Sequence, residues 1–317
     1  MDIKISRGCL LGAAAGDALG APVEFLTLQQ IRDRFGEKGL EDYAPRGDLK
    51  PGTYTDDTQM TLATAVGCIQ ALQARKKGEP LDFKTIVYRE YLEWYEMQKK
   101  PENRRAPGNT CLGALGSGKI GTLEKKINDS KGCGGVMRTA PIGLAFERKE
   151  AFLRGAEAAA ITHGHPSGYL PAGLLADVVA GIAAGHKLDR AVELSLEILT
   201  THRGHGETLE KIELALELVR KERPPETAIP LLGEGWVGEE ALAIALYCCY
   251  YSPADWKKAV LAAVNITGDS DSTGSITGAL LGTLHGEKAI PVNLVKNLEN
   301  RGLIIKIAED LHSARAG

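Results

Sequence analysis

The chain has 317 residues, 44% of them hydrophobic and 25% charged, with a formal net charge of −3 from 38 basic and 41 acidic side chains. This near balance gives no support for a large nucleic-acid footprint, and no run reaches the roughly 18 apolar residues that a membrane span needs. Six cysteines are spread along the chain without C-x-x-C spacing, five of them in apolar or small-residue surroundings, as expected of free thiols in a reducing cytoplasm.

The first segment, MDIKISRGCLLGAAAGDALG, is interrupted by Asp2 and Asp17, which sets it apart from a secretion signal. It reads as a helix with Gly12, Gly16 and Gly20 on one face, where another backbone can come close. Asp17 lies inside that helix and needs partners; tying down a neighbouring helix end is one role open to it. Glu24 follows Pro22 in a loop beside Phe25. It can hold water or gate a cleft, or simply form a surface ion pair.

Residues 52–60, GTYTDDTQM, place Asp56 and Asp57 side by side between Thr55 and Thr58, directly before an apolar helix. Thr55 or Asp56 can cap that helix, and the field of the helix end favours an anion. Capping accounts for only one of the two carboxylates; a bound cation would stabilise both more strongly. The helix MTLATAVGCIQALQARKK stops at Gly78, and LDFKTIVYREYLEWYEMQ (81–98) forms another with aromatic faces. KKPENRRAPGN (99–109) is the most loop-like stretch, either solvated or overhanging a pocket. GALGSGKI (113–120) imitates a phosphate-binding loop. Ile120 stands where Ser or Thr is required and no strand precedes it, so it reads as a glycine-rich helix end.

In KGCGGVMRTAPIGLAF (131–146), Gly132, Gly134 and Gly135 open the backbone before a helix. This is either a tight turn or an anion-binding nest to which Arg138 adds charge. ITHGHPSGYLPAG (161–173) ends one helix and starts another near Pro166; His163, more than His165, is a candidate for ligand contact, and either can cap a helix. LDRAVELSLEILT, EKIELALELVRK and WKKAVLAAV carry helical periodicity, with Ile212, Leu216 and Val219 on one stripe. In LGEGWVGEEALAIALYCCYY, Trp236 can stack on a base or pack against the following helix.

The last informative segment, NITGDSDSTGSITGALLG (265–282), sets Asp269, Asp271, Ser272 and Thr273 before a second apolar helix. It fails as an EF-hand loop, because Leu280 occupies the twelfth position where a bidentate Glu is required. Two unrelated caps would account for the two acidic turns. If instead both helices start at one point in space, four carboxylates converge and cannot stay unpaired in a dry cleft. Hard oxygen donors without Cys or His favour Mg²⁺ or Mn²⁺, and two ions about 3.5–4 Å apart would suit the set. Strand-like alternation is scarce and no linker divides the chain. The expectation is an all-α fold, one domain over residues 1–317, monomeric.

In order, GDALGAPVEF, YTDDTQM, GCGGVMR, ITHGHPSGYL and GDSDSTGS resemble the ADP-ribosylglycohydrolase family over Gly8 to about Gly286. The resemblance implies a compact all-α fold with a centre of two Mg²⁺ or Mn²⁺ ions. It carries the metal ligands onto Thr55, Asp56, Asp57, Asp269, Asp271 and Ser272, and the gating glutamate onto Glu24. Glu24, Asp56, Asp57, Asp269 and Asp271 form the catalytic set. The ligand-contacting set falls on Gly134, Gly135, Val136, Met137, His163, Gly168 and Tyr169, joined by Trp236 as a residue able to stack on a base. The implied activity is metal-dependent release of ADP-ribose from arginine on a modified protein, with ADP-ribosylated protein or free ADP-ribose compounds as partners and no nucleic acid or membrane. Rivals are hydrolysis of serine-linked, poly- or O-acetyl-ADP-ribose, a non-catalytic ADP-ribose binder, and a two-metal phosphoesterase.

Overall fold

The computed structural model describes residues 2–80 and 82–316; Leu81, at the start of the predicted aromatic helix, and the end residues of the expected domain, Met1 and Gly317, lie outside them. The described residues form sixteen α-helices and no strand: α1 (Ile3–Gly20), α2 (Leu28–Phe35), α3 (Asp56–Lys76), α4 (Phe83–Met97), α5 (Asn109–Gly116), α6 (Ala140–Ala145), α7 (Arg148–Ala160), α8 (Pro166–Ala183), α9 (Leu188–Leu199), α10 (Gly206–Arg220), α11 (Pro225–Leu232), α12 (Gly238–Tyr251), α13 (Trp256–Val264), α14 (Ser270–His285), α15 (Val292–Asn297) and α16 (Arg301–Ala316). The all-α expectation holds. No helix among the described residues is long and apolar enough to cross a membrane.

The centre of the molecule is an antiparallel seam between α1 and α14. Gly8, Gly12 and Gly16 face Gly282, Gly278 and Gly274, and Gly20 faces Ser270. A methyl group added at Gly16 would lie 2.0 Å from the carbonyl oxygen of Gly274, and one at Gly278 would lie 2.1 Å from that of Gly12. The two backbones therefore touch, as the four-residue glycine spacing predicts. Trp256 of α13 seals the flank by donating its indole N–H to the Gly278 carbonyl at 3.1 Å. Around the seam one apolar core draws on α3, α6, α7, α8 and α12, while Val23, Ile31 and Leu40 form a small separate cluster under the loop that carries Glu24.

The other predicted helices are present, with adjusted ends. α3 begins at Asp56, so both carboxylates sit in its first turn, and Gly78 just beyond it adopts φ 69°. α5 ends in the glycine-rich stretch that imitated a phosphate loop. One stripe is displaced: α10 buries Thr208, Ile212, Ala215 and Leu218, leaving Leu216 and Val219 half-buried at the side. α10 packs against α12, and the small Ala215 lies on its buried face between Ile212 and Leu218.

The seam has a direct consequence for stability. Gly16→Ala forces backbone apart in a packed core, an overpacking that costs about 1–3 kcal/mol or more. Its melting temperature should fall by at least several degrees. Gly302→Ala on α16 meets open space and should be neutral or stabilise by up to about 1 kcal/mol. Equal melting temperatures for the two variants would contradict the seam.

Candidate active site

The seam delivers the start of α14 to the end of α1. One turn earlier in α1, Asp17 is wholly buried and does the same for α3. Its Oδ1 accepts from the Thr55 N–H at 2.9 Å, its Oδ2 accepts from the Thr58 N–H at 3.0 Å, and the Thr58 hydroxyl also donates to it. Asp17 is thus a cap supplied from another helix, the role left open by the sequence. Thr55 adds the local cap by accepting from the Asp57 N–H at 3.2 Å. At the other helix start, Asp269 caps α14 through the Ser272 N–H at 3.2 Å.

Both helix starts open on one cavity of about 350 Å³. Glu24, Asp56, Asp57, Asp269, Asp271 and Ser272 line it, together with Gly134, Met137, His163 and Trp236. Thr55, Gly135, Val136, Gly168 and Tyr169 are not among its lining residues. Thr55 is buried at its capping position, Val136 is in the core, and Tyr169 packs half-buried against the core. Gly135 and Gly168 meet backbone to backbone: a methyl group on Gly135 would stand 2.5 Å from the Gly168 carbonyl oxygen. Ser272, not Thr273, faces the cavity, because the Thr273 hydroxyl turns back to the carbonyls of Ala263 and Asp269, 2.8 Å from each. His165 caps α8 by accepting from the Ser167 N–H at 3.1 Å. Arg138 does not reach the cavity; it is fully buried behind the glycine turn. A larger cavity of about 630 Å³ between α2, α11 and α13 mixes apolar side chains with both signs of charge and contains none of the expected site residues.

The loop of residues 99–109 is pinned at the site. The Asp56 N–H donates to the Arg105 carbonyl at 3.1 Å and the Gly108 N–H donates to Asp56 Oδ2 at 3.2 Å. Gln59 donates to the Asn103 carbonyl at 2.9 Å, and Arg105 pairs with Glu299 at 3.1 Å. Ala106, at φ 59°, and the three residues after it form part of the cavity wall. The glycine turn is tied to the Trp236 loop by backbone pairing, with the Cys133 N–H on the Trp236 carbonyl at 3.0 Å and the Gly238 N–H on the Lys131 carbonyl at 2.8 Å. At the rim, Trp236 stacks on exposed Phe25, with ring centroids 5.2 Å apart.

Three contributors escaped the sequence reading. Arg46 holds Glu24 in an ion pair at 2.7 Å; a lone Arg in the turn PRGD carries no signal of that. Cys133 donates its thiol to Asp269 Oδ2 at 2.7 Å and is the one half-buried thiol, the other five cysteines being buried. Phe25 was visible only as an apolar neighbour of Glu24, and its exposure beside the cavity depends on a left-handed backbone, φ 70°.

Electrostatically the cavity is under strain. Burial first, and the Asp271 charge second, push Asp56, Asp57 and Asp269 well above the usual carboxylate range. Asp17 rises to about 7 from the same two causes. Glu24 is raised by burial and Asp271 against the opposing pull of Arg46. Burial, and then Arg138, lower His163 to about 3, leaving a neutral imidazole. Asp57 Oδ2 is buried with no hydrogen-bond partner. Among the described residues no three carboxylate, thiol or imidazole groups already close on a single point; the acids line a shared space instead. The donors are hard oxygens with one atom left unsatisfied, which fits a divalent cation bound between the helix starts.

In this all-helical protein the acidic starts of α3 and α14 thus share one cavity of about 350 Å³. The ADP-ribosylglycohydrolase family profile matches residues 4–317, and the chain belongs to that family. The match runs past Gly286, where the recognisable motifs end, to the C-terminal helix. Over the chain it is 29% identical to the ADP-ribosyl-[dinitrogen reductase] glycohydrolase of Rhodospirillum rubrum, covering 92% of this chain and 89% of that one. It is 26% identical to the ADP-ribosylarginine hydrolase Tri1 of Serratia proteamaculans (96% and 78%) and 26% identical to the ADP-ribosylhydrolase ARH3 of Mus musculus (96% and 90%). A solved ADP-ribosylglycohydrolase-related protein complex superposes with a TM-score of 0.70 at 26% identity, covering 99% of this chain and 98% of that one.

The raised carboxylates set a pH dependence for the cation-free protein. Their folded pKa values lie above the unfolded value of about 3.9, so the native state binds protons more tightly there. The stability this contributes is complete at low pH and is lost as pH rises, through about 7 for Asp17 and through the raised values of Asp56, Asp57 and Asp269. After chelator treatment, melting should be higher at pH 5.5 than at pH 8, and Asp269→Asn should flatten the slope. A melting temperature that climbs with pH in the chelated protein would contradict this electrostatic picture.

Proposed function

We propose that the chain hydrolyses the N-glycosidic bond between ADP-ribose and an arginine side chain of a modified protein, using two divalent cations, Mg²⁺ or Mn²⁺. The observation that carries the reading is the buried acidic cavity. Four aspartates from two helix starts more than two hundred residues apart line it, and Asp57 Oδ2 has no partner. Asp56, Asp57, Asp269 and Asp271 would hold the cations, with the Ser272 hydroxyl beside them; the Thr55 hydroxyl, expected to join the set, is buried on the Asp57 N–H outside the cavity lining. Bound cations would supply an acidified water and a hold on ribose hydroxyls.

The remaining work falls to this chain's own groups. Glu24, gripped by Arg46 next to Phe25, would act as the gate and position water near the anomeric carbon. The glycine turn at Gly134 and the His163 imidazole would receive the diphosphate. Trp236 and Phe25 offer a flat aromatic rim to the adenine. Bond breaking at the anomeric carbon would proceed with oxocarbenium character.

Arginine linkage is supported by the segment ITHGHPSGYL and by the similarity to the ADP-ribosylarginine hydrolase of Serratia. The mouse relative, equally similar, carries a name that specifies no linkage, so hydrolysis of another ADP-ribose linkage is the second reading. Purified protein would be assayed on arginine-, serine- and O-acetyl-linked ADP-ribose with Mg²⁺, Mn²⁺ or chelator. Fastest release is expected from arginine, with loss of turnover in chelator. Asp269→Asn should lower turnover at least about 100-fold. Equal turnover with and without cations would defeat the metal reading, and preference for a different linkage would defeat the arginine assignment.

A further inference from the structure

Arg138 is a fully buried guanidinium that pairs with no carboxylate among the described residues. Its Nη2 donates to the Thr162 hydroxyl at 2.7 Å and to the Ala158 carbonyl at 3.2 Å. Its Nη1 lies on the sulfurs of Met60 and Cys111 at 3.3 and 3.4 Å, and its charge rests 4.3 Å from the centre of the Tyr91 ring. Keeping a cation dry in this way is costly, and the mechanism above does not use it.

The hydrogen bonds run from Arg138 toward the cavity. A guanidinium only donates, so the Thr162 oxygen is an acceptor there. The single Thr162 proton then has three possible destinations: the Cys111 sulfur, a weak acceptor that already faces Arg138 Nη1 at 3.4 Å, His163 Nδ1 at 2.8 Å, or the Ala159 carbonyl at 3.4 Å. That carbonyl already accepts from the backbone N–H groups of Thr162 at 3.1 Å and His163 at 2.9 Å. The imidazole nitrogen is nearer and has no other donor among the described residues. The charge of Arg138 also favours the arrangement in which the ring turns its lone pair toward the guanidinium and its N–H away. The far nitrogen, Nε2, lies against the glycine turn: methyl groups added at Gly132 and Gly134 would sit 3.4 and 3.3 Å from it. Gly132, Gly134 and His163 all line the cavity.

We infer that Arg138 is a positioning residue that, through the Thr162 hydroxyl, fixes His163 as the Nε2–H tautomer, so that the ring presents a hydrogen-bond donor to the oxygens of an anionic group in the cavity. The identity of that anion, the diphosphate of an ADP-ribosyl ligand, rests on the proposed function; the tautomer does not. The lowered His163 pKa agrees, since the ring donates without needing a second proton. The chain also explains why the Arg138 charge sits behind the site rather than in it: it selects a tautomer at a distance instead of pairing with the ligand.

The tautomer can be read directly. Long-range ¹H–¹⁵N correlation of the full-length protein labelled at histidine, with His163→Gln to assign the signal, should show a protonated Nε2 and a bare Nδ1 for His163. Thr162→Val keeps the shape and removes the relay. It should convert the signal to a tautomer mixture and weaken ADP-ribose binding about tenfold by calorimetry, as expected for one lost hydrogen bond. KM should rise by a similar factor while kcat changes less. Thr162→Ser should restore the wild-type pattern. A protonated Nδ1 in the wild type, or an unchanged tautomer in Thr162→Val, overturns the relay; both readouts on the wild type and on the serine variant are independent of whether the valine variant folds. A wild type with the expected tautomer that fails to bind ADP-ribose would overturn the ligand assignment alone.

Discussion

Contact between two bare stretches of backbone is the constraint from which the rest of the molecule follows. α1 and α14 approach so closely that even a methyl group cannot be inserted at the facing glycines. Glycine is a poor helix former, and here that weakness is accepted for what it permits in tertiary packing. The close approach fixes the relative height of the two helices, so the end of one and the start of the other meet at a set level. Asp17 then recruits α3 to the same level. Three separate pieces of sequence are thereby brought to one point by contacts that lie outside the chemistry itself.

The acidic cavity runs against ordinary folding preference, in which buried charges are paired. The protein compensates locally. Helix starts lend partial positive charge, Arg46 neutralises Glu24, and a thiol rather than a cation satisfies one oxygen of Asp269. None of these balances the whole group, and one oxygen of Asp57 remains bare. Such an imbalance would suit the divalent cations proposed above, because a protein that neutralised its own carboxylates would have nothing left to bind with. Neutral groups cover another part of the wall: a glycine turn and a histidine whose charge is suppressed by burial and by Arg138.

Much of this was legible in the residues. The glycine spacing gave the seam, helix periodicity gave the all-α class, and paired carboxylates at two helix starts marked the cavity. Asp17 could be read as a tie to another helix end because a carboxylate among alanines and glycines has few other uses. The rest was hidden for physical reasons. Arg46 and Cys133 act through partners far away in sequence, and no local pattern encodes a distant partner. Arg138 misled because a positive charge beside a glycine turn suggests direct contact with phosphate, whereas its rotamer carries it into the core toward Thr162. The stripe on α10 was misplaced because the size of side chains suggested Leu216 and Val219, while the buried face runs through Ala215 and Leu218.

The seam also imposes an order in time. Gly20 and Ser270, which face one another at its end, are separated by 250 positions of chain. With synthesis at about 5–20 residues per second, roughly 13–50 s pass between the emergence of the first and that of the second. Through that interval α1, most of whose side chains are destined for the interior, has no partner for its glycine face. A nascent chain of this kind holds an apolar N-terminal helix in waiting and cannot assemble its acidic cavity until nearly all of it has been made, which keeps a cluster of unpaired carboxylates from forming before the scaffold that tolerates it exists.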